Sequence, residues 1–162
     1  MVGLAGSTAT LLLATPLHAA LALEAVAVAA FTDVRCGYIF DALVVMALLI
    51  TVVLALAEGA GQWAALGASA TGFALLILWA ASLARGIGLG DVKLASLLGA
   101  AFGPTDGIVA IGLSFVLGAG VALGLLATRK ARLGTRVCFG PYLLAGSLCL
   151  LAYHRLSTGV IR

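Results

Sequence analysis

Long runs of apolar residues dominate the chain, and charged residues lie almost entirely in the short segments between them. The runs are Leu12–Thr32, Ala42–Ala57, Trp63–Ala84, Val92–Phe102, Gly107–Thr128 and Val137–Tyr153. A helix that crosses a bilayer needs about 20 predominantly apolar residues, and most of these runs approach that length. The pattern therefore predicts an all-α, polytopic membrane protein with about six transmembrane helices.

The composition excludes an ordinary soluble domain. Of the 162 residues, 64% are hydrophobic and 9% are charged, which is too few polar side chains to cover a soluble surface. The predicted helices are joined by residues 33–41 and by the links Glu58–Gln62, Arg85–Asp91, Gly103–Asp106 and Arg129–Arg136. None of these links can hold a soluble domain, so we expect residues 1–162 to form a single membrane-embedded domain.

The basic residues indicate how the protein lies in the membrane. If the N-terminus is placed outside, seven basic residues fall in cytoplasmic links and two fall on the other side. The seven are Arg35, Arg85, Lys93, Arg129, Lys130, Arg132 and Arg136, and the two are Arg155 and Arg162. Cytoplasmic links carry an excess of Lys and Arg, so we expect both termini on the non-cytoplasmic side. The net charge of +3 then matches anionic lipid and requires no nucleic-acid partner.

Two aspartates lie at span ends on the predicted cytoplasmic side. Asp33 ends a long apolar run, and Asp91 follows a glycine-rich turn. A carboxylate at the edge of a bilayer is costly and usually functional. Two neighbouring carboxyls share a proton readily, so that one activates water as a base and the other acts as an acid. The pattern predicts a membrane-embedded aspartic protease with Asp33 and Asp91 as the catalytic pair.

The turn before Asp91 contains Gly88 and Gly90. Alternating glycines let a backbone bend and approach another chain closely, so an extended substrate could pair with this turn as a strand does. A helix-capping role for Asp91 is the alternative. A phosphate-binding loop is excluded, because no strand precedes the turn and no Gly-Lys-Ser/Thr sequence follows it.

The cysteines and histidines do not predict a metal site. Cys36, Cys138 and Cys149 form no C-x-x-C pair, and His18 and His154 are far apart in sequence. We therefore expect catalysis without a metal or another cofactor.

Three segments carry a family resemblance. The string Gly88-Leu89-Gly90-Asp91-Val92-Lys93-Leu94 is similar to G-x-G-D-x-K-L, and Asp33–Leu43 is similar to D-x-R-x-x-x-I-P-N-x-L. Phe139-Gly140-Pro141-Tyr142 is similar to F-G-P-[FY]. In this order and spacing the segments resemble bacterial prepilin peptidases, which are GxGD intramembrane aspartyl proteases that cleave type IV leader peptides.

The resemblance implies that Asp33 and Asp91 are catalytic. It implies substrate-binding or supporting roles for Gly88, Gly90, Lys93, Arg35 and Asp41. The substrates would be type IV prepilins or pseudopilins, including the tight-adherence (Flp) type. Their short basic leader would be removed at the cytoplasmic face of the inner membrane. The chain lacks the N-terminal methyltransferase domain and C-x-x-C motifs of longer relatives, so we expect cleavage without methylation.

The chain departs from the family pattern at Phe40-Asp41, which replaces Pro-Asn. We interpret Asp41 as the N-cap of the second helix; a third acid that perturbs the catalytic pair is the alternative. Lys93 and Arg35 match family positions, where they would orient a carboxylate, contact the substrate or extend to lipid phosphate.

Other classes of protein also hold acids in apolar helices. A small transporter would place them near the bilayer midplane, and a non-enzymatic pilus or secretion assembly subunit would not need them.

Glu24 has no role in the predicted catalytic pair. It precedes Asp33 by about two and a half helical turns and so lies on the opposite face, where it either meets a polar group of another helix or lies near a membrane surface. The sequence does not indicate an oligomeric state.

Overall fold

The computed structural model describes residues 16–37, 39–82, 87–129 and 138–159, and all regular secondary structure in these ranges is helical. The helices are α1 (Leu17–Cys36), α2 (Asp41–Ala57), α3 (Gly61–Ala81), α4 (Leu89–Ala127) and α5 (Gly140–Gly159). Three of them, α1, α3 and α4, are long and apolar enough to cross a membrane. In α1 the apolar stretch is Leu17–Arg35. The predicted all-α class is confirmed.

The 39-residue helix α4 consists of two halves that fold back on each other at Gly103. This glycine has φ 80° and ψ −179°, and Pro104 follows it. A Cβ atom on Gly107 would lie 3.0 Å from Cα of Gly99. In a straight helix, residues eight positions apart are separated by about 12 Å. The chain therefore reverses at Gly103, and residues 89–102 (α4a) and 104–127 (α4b) correspond to the predicted fourth and fifth spans.

With this reversal the described chain contains six helical segments, as many as the apolar runs in the sequence. That all six segments cross a bilayer, and that both termini lie outside the cytoplasm, stay predictions.

Small residues bring α3 and α4a into close contact. A Cβ atom on Gly67 or Gly99 would overlap the backbone of the other helix. The hydroxyl of Thr71 donates to the carbonyl of Ala95, at 2.8 Å, and so joins the two helices by a hydrogen bond. Close backbone approach and interhelical hydrogen bonds are typical of helices packed in a membrane. The largest fully buried side chains are Leu75, Leu94, Leu97, Leu98 and Leu143.

The start of α4a is placed against the α1–α2 link. Gly37 caps the end of α1 in a left-handed conformation (φ 63°), and its N–H donates to the carbonyl of Asp33. Ile39 is buried, and its Cβ atom would lie 3.2 Å from a Cβ atom on Gly90. Any larger residue at Gly90 would push these two segments apart.

Helix α5 runs antiparallel to α4b. Gly118 lies beside Phe139 and Tyr142 at the start of α5, whereas Asp106 pairs with His154 near its end, at 3.1 Å. The end of α1 and the starts of α2, α4a and α5 consequently meet at one end of the bundle, which we call the aspartate end because it holds Asp33 and Asp91.

Candidate active site

Asp33 and Asp91 meet at the aspartate end. Asp33 lies in the last turn of α1 and Asp91 in the first turn of α4a. The exposed fraction of each residue is only 8%. The contact of Ile39, in the link that follows α1, with Gly90 places the first turn of α4a beside the last turn of α1. The structure thus brings together the two acids that the sequence identified.

The glycine-rich turn orients Asp91. The N–H of Gly88, the N-cap residue of α4a, donates to Oδ2 of Asp91 at 3.0 Å. Backbone N–H groups at a helix start have no partner within the helix, and the helix dipole favours an acid there. The capping interpretation of Asp91 therefore describes its geometry correctly. Because this capping hydrogen bond uses only Oδ2, it leaves Oδ1 of Asp91 able to accept or donate a proton.

Helix α5 orients Asp33. The N–H of Gly140, the first residue of α5, donates to Oδ2 of Asp33 at 3.0 Å. A Cβ atom on Gly140 would lie 3.0 Å from this oxygen and 3.2 Å from Cα of Ala30. Only glycine allows the start of α5 to approach α1 this closely. The thiol of Cys138 also lies 3.4 Å from the backbone oxygen of Asp33 and donates to it.

Gly140 is a site residue to which the sequence analysis gave no role. It belongs to the segment Phe139-Gly140-Pro141-Tyr142, which was used only as a family signature. Proline in a first turn marks a helix start, and a helix start offers free N–H donors to an acid. The signal was therefore present, but the sequence could not show which acid it served.

Within the described ranges, hydrogen bonds to the two carboxyls involve only their Oδ2 atoms. The described residues thus leave Oδ1 of each acid for a water molecule or a proton. No three His, Cys, Asp or Glu side chains come together as metal ligands in the described part of the chain.

Lys93 and Asp41 form an ion pair between helices. Nζ of Lys93 lies 2.7 Å from Oδ2 of Asp41, and the pair joins the start of α4a to the first residue of α2. The expected N-cap role of Asp41 is wrong. Phe40 is the N-cap residue, with φ −69° and ψ 102°, and Asp41 is the first helical residue. The extended backbone of Phe40 sets the cap position, which leaves the carboxylate of Asp41 free to reach Lys93.

The remaining predicted residues divide into two groups. Gly88 and Gly90 shape the turn before Asp91, the first as a donor and the second by allowing contact with Ile39. Arg35 is exposed, and its guanidinium lies 5.0 Å above the ring of Phe31 on the same helix. The structure therefore places Arg35 against an aromatic ring instead of against either aspartate.

A comparison with protein families finds a match to the model of the type IV leader peptidase family over residues 20–123. The matched stretch contains Asp33, Asp91 and the glycine-rich turn, and it ends before α5. No curated protein and no solved structure matches the chain.

Proposed function

Because the chain belongs to the type IV leader peptidase family and is therefore a peptidase, we propose that it is an aspartic endopeptidase that uses Asp33 and Asp91 together. The observation that carries the proposal is the meeting of two buried acids from different helices, each held through one oxygen by a glycine N–H. A structural role alone does not account for the burial of both Asp33 and Asp91, because placing two like charges close together away from solvent is unfavourable.

The geometry supports a general acid–base mechanism. One aspartate, as the carboxylate, takes a proton from a water molecule while the water oxygen attacks the carbonyl carbon of the scissile peptide. The other aspartate, as the carboxylic acid, donates a proton to the carbonyl oxygen, which gives a tetrahedral diol. The first aspartate then passes the proton taken from water to the amide nitrogen, a diol hydroxyl returns a proton to the second aspartate, and the C–N bond breaks to release an amine and a carboxylic acid. The N–H groups of Gly88 and Gly140 fix the orientation of both carboxyls throughout.

The proposed substrates are type IV prepilins or pseudopilins, the tight-adherence type included. Their leader would be removed on the cytoplasmic side of the inner membrane. Support comes from the family and from the charge distribution. In the described part of the chain, Arg35, Lys93 and Arg129 lie at the ends of segments that reach the aspartate end, and Arg155 lies towards the other end.

The transporter alternative gains no support from the site. Asp33 and Asp91 occupy the last and first turns of their helices, whereas a transport site is expected near the bilayer midplane. An assembly subunit without enzymatic activity is distinguished by experiment, because it would keep its function without either acid.

The test is co-expression of the protein with a candidate prepilin, with leader removal measured by mass spectrometry. We expect cleavage by the wild type and no cleavage by Asp33→Asn or Asp91→Asn at equal membrane levels. Asp106→Asn is a matched control, because this acid pairs with His154 at the opposite end of the bundle and should leave cleavage intact. Retained cleavage in either site variant would exclude that residue as essential.

A further inference from the structure

Between Leu17 and Phe31, one charged side chain interrupts the apolar outer face of α1. Exposed residues recur on α1 every three or four positions, as on one face of a helix. They are Leu17, Leu21, Glu24, Val28 and Phe31. Glu24 is the only one of these that carries a charge. It lies on the exposed side of α1, whereas Asp33 is buried, as expected from their spacing.

Glu24 lies in a groove between α1 and α2. The groove has a volume of about 460 Å³ and is lined by Leu21, Glu24, Ala25 and Val28 of α1 and by Leu43, Met46, Ala47 and Ile50 of α2. Helix α2 has no charged residue between Asp41 and Glu58, and the groove lies alongside this apolar stretch. Glu24 therefore lies at the depth of the apolar part of α2, where a carboxylate without a partner is costly.

The described chain supplies no partner for Glu24: within the described ranges, no hydrogen bond or ion pair reaches it. The described basic side chains, Arg35, Lys93, Arg129 and Arg155, lie towards helix ends. A second copy of the chain packed symmetrically on this groove would add another Glu24 and hence a like charge. Charge complementarity therefore favours a helix of a different protein that brings a hydrogen-bond donor.

The groove leads towards the catalytic pair. On α2 its lining extends to Leu43, the third residue of that helix, and Ile39 of the preceding link contacts Gly90 next to Asp91. A helix that occupies the groove thus reaches the end of the bundle where the peptide bond would be cleaved.

We propose that the groove between α1 and α2 is the docking site for an apolar helix that anchors the substrate in the membrane, and that Glu24 accepts a hydrogen bond from a polar side chain of that helix. The inference rests on the proposed peptidase function. Glu24 lies about 13.5 Å from Asp33 along α1, at 1.5 Å per residue. The polar side chain of the substrate should therefore follow the cleaved bond by about nine residues if the segment is helical, or about four if it is extended.

Site-specific photo-cross-linking tests the docking site directly. A photo-reactive amino acid replaces Met46 in the groove or, as a control of matched exposure, Phe73 on α3; their exposed fractions are 63% and 65%. Both variants also carry Asp91→Asn, so that the co-expressed prepilin stays uncleaved. We expect an adduct with the prepilin from position 46 and at least several-fold less from position 73.

The outcomes separate this inference from the proposed function. No adduct from position 46, or equal adducts from both positions, overturns the docking site even if the wild type cleaves the prepilin. An adduct from position 46 supports the docking site even if Asp33 and Asp91 prove dispensable for cleavage.

Kinetics of the purified protein tests the role of Glu24. We expect Glu24→Leu to raise KM about three- to twentyfold, the range for one hydrogen bond between membrane helices, with little change in kcat. Glu24→Gln keeps an acceptor and should restore most of the affinity. An unchanged KM in Glu24→Leu, or a loss in kcat alone, would contradict the assignment.

Discussion

At the scale of single residues, three glycines position the two aspartates, each for a different physical reason. Gly88 supplies an N–H to Asp91, Gly90 leaves space for Ile39, and Gly140 supplies an N–H to Asp33 while allowing α5 to approach α1. None of these glycines has a positive φ that would by itself require glycine. Their importance therefore depends on what lies next to each one, which can be tested separately.

The contacts predict different effects of a methyl group at Gly90 and at Gly88. In Gly90→Ala the added methyl group would lie 3.2 Å from Ile39, so we expect a loss of about 1–3 kcal/mol in the free energy of unfolding. In Gly88→Ala the nearest atom, Oδ2 of Asp91, is at an ordinary 3.5 Å, and the loss should be smaller. Unfolding measured in detergent micelles compares the two variants. A larger loss in Gly88→Ala would show that contact with Ile39 does not govern this turn.

That Asp33 and Asp91 lie at the same end of the bundle was predictable from sequence, and how they are held was not. Asp33 and Asp91 stand out because they are charged residues in apolar surroundings, a signal that needs no tertiary information. The contact between Gly140 and Asp33 joins residues far apart in sequence, so it depends on the packing of α5 on α1. The N-cap of α2 was misassigned because the choice between Phe40 and Asp41 depends on backbone dihedral angles that the sequence does not specify.

At the scale of helices, α4a is joined to α4b by the reversal at Gly103 and to α2 by the ion pair of Lys93 with Asp41. The reversal packs α4a against α4b, and the ion pair joins the first turn of α4a to α2. Both act on the helix that carries Asp91.

The reversal predicts that Gly103 tolerates no side chain. Its φ of 80° combined with an extended ψ is accessible essentially only to glycine, so Gly103→Ala should cost about 1–3 kcal/mol of unfolding free energy. Gly112 is the matched control, because a Cβ atom there also meets nothing within 4 Å but its φ is not positive. Gly112→Ala should be neutral or slightly stabilising. Equal stability of the two variants would argue against the reversal.

The ion pair predicts a small effect on stability. The side chains of Lys93 and Asp41 are 36% and 53% exposed, so solvent screens their attraction. A double-mutant cycle with Asp41→Asn and Lys93→Gln should give a coupling free energy of at most about 1 kcal/mol, which falls as salt is added. A much larger coupling that salt does not change would indicate that the pair is shielded from solvent in the membrane.

At the scale of the whole molecule, the helical segments of the described residues and their approximate limits were predictable, because apolar runs and helix lengths are related by simple geometry. The run Ala42–Ala57 differs from α2 by one residue, and the link Gly103–Asp106 contains the reversal inside α4. What the sequence could not provide is the packing order of the helices, which follows from close contacts such as that of Gly67 with Gly99.

Orientation in the membrane is a prediction for the whole molecule. In a variant with Cys36, Cys138 and Cys149 replaced by Ser, a single cysteine is introduced as Ala42→Cys at the aspartate end or as Thr105→Cys at the opposite end; both positions are exposed. The excess of basic residues predicts that the aspartate end faces the cytoplasm. A membrane-impermeant thiol reagent added to intact spheroplasts should label position 105, and position 42 only after lysis. The reverse pattern would place the aspartates outside the cytoplasm.

The most direct test of the catalytic pair is the single-turnover cleavage rate of the purified protein and of three variants: Asp33→Asn, Asp91→Asn and the double variant. If the two acids work as one unit, each single substitution should lower the rate by about a thousandfold or more, and the double variant should be no slower than the slower single one. A single variant that keeps a rate near that of the wild type would contradict the account, as would losses that multiply in the double variant.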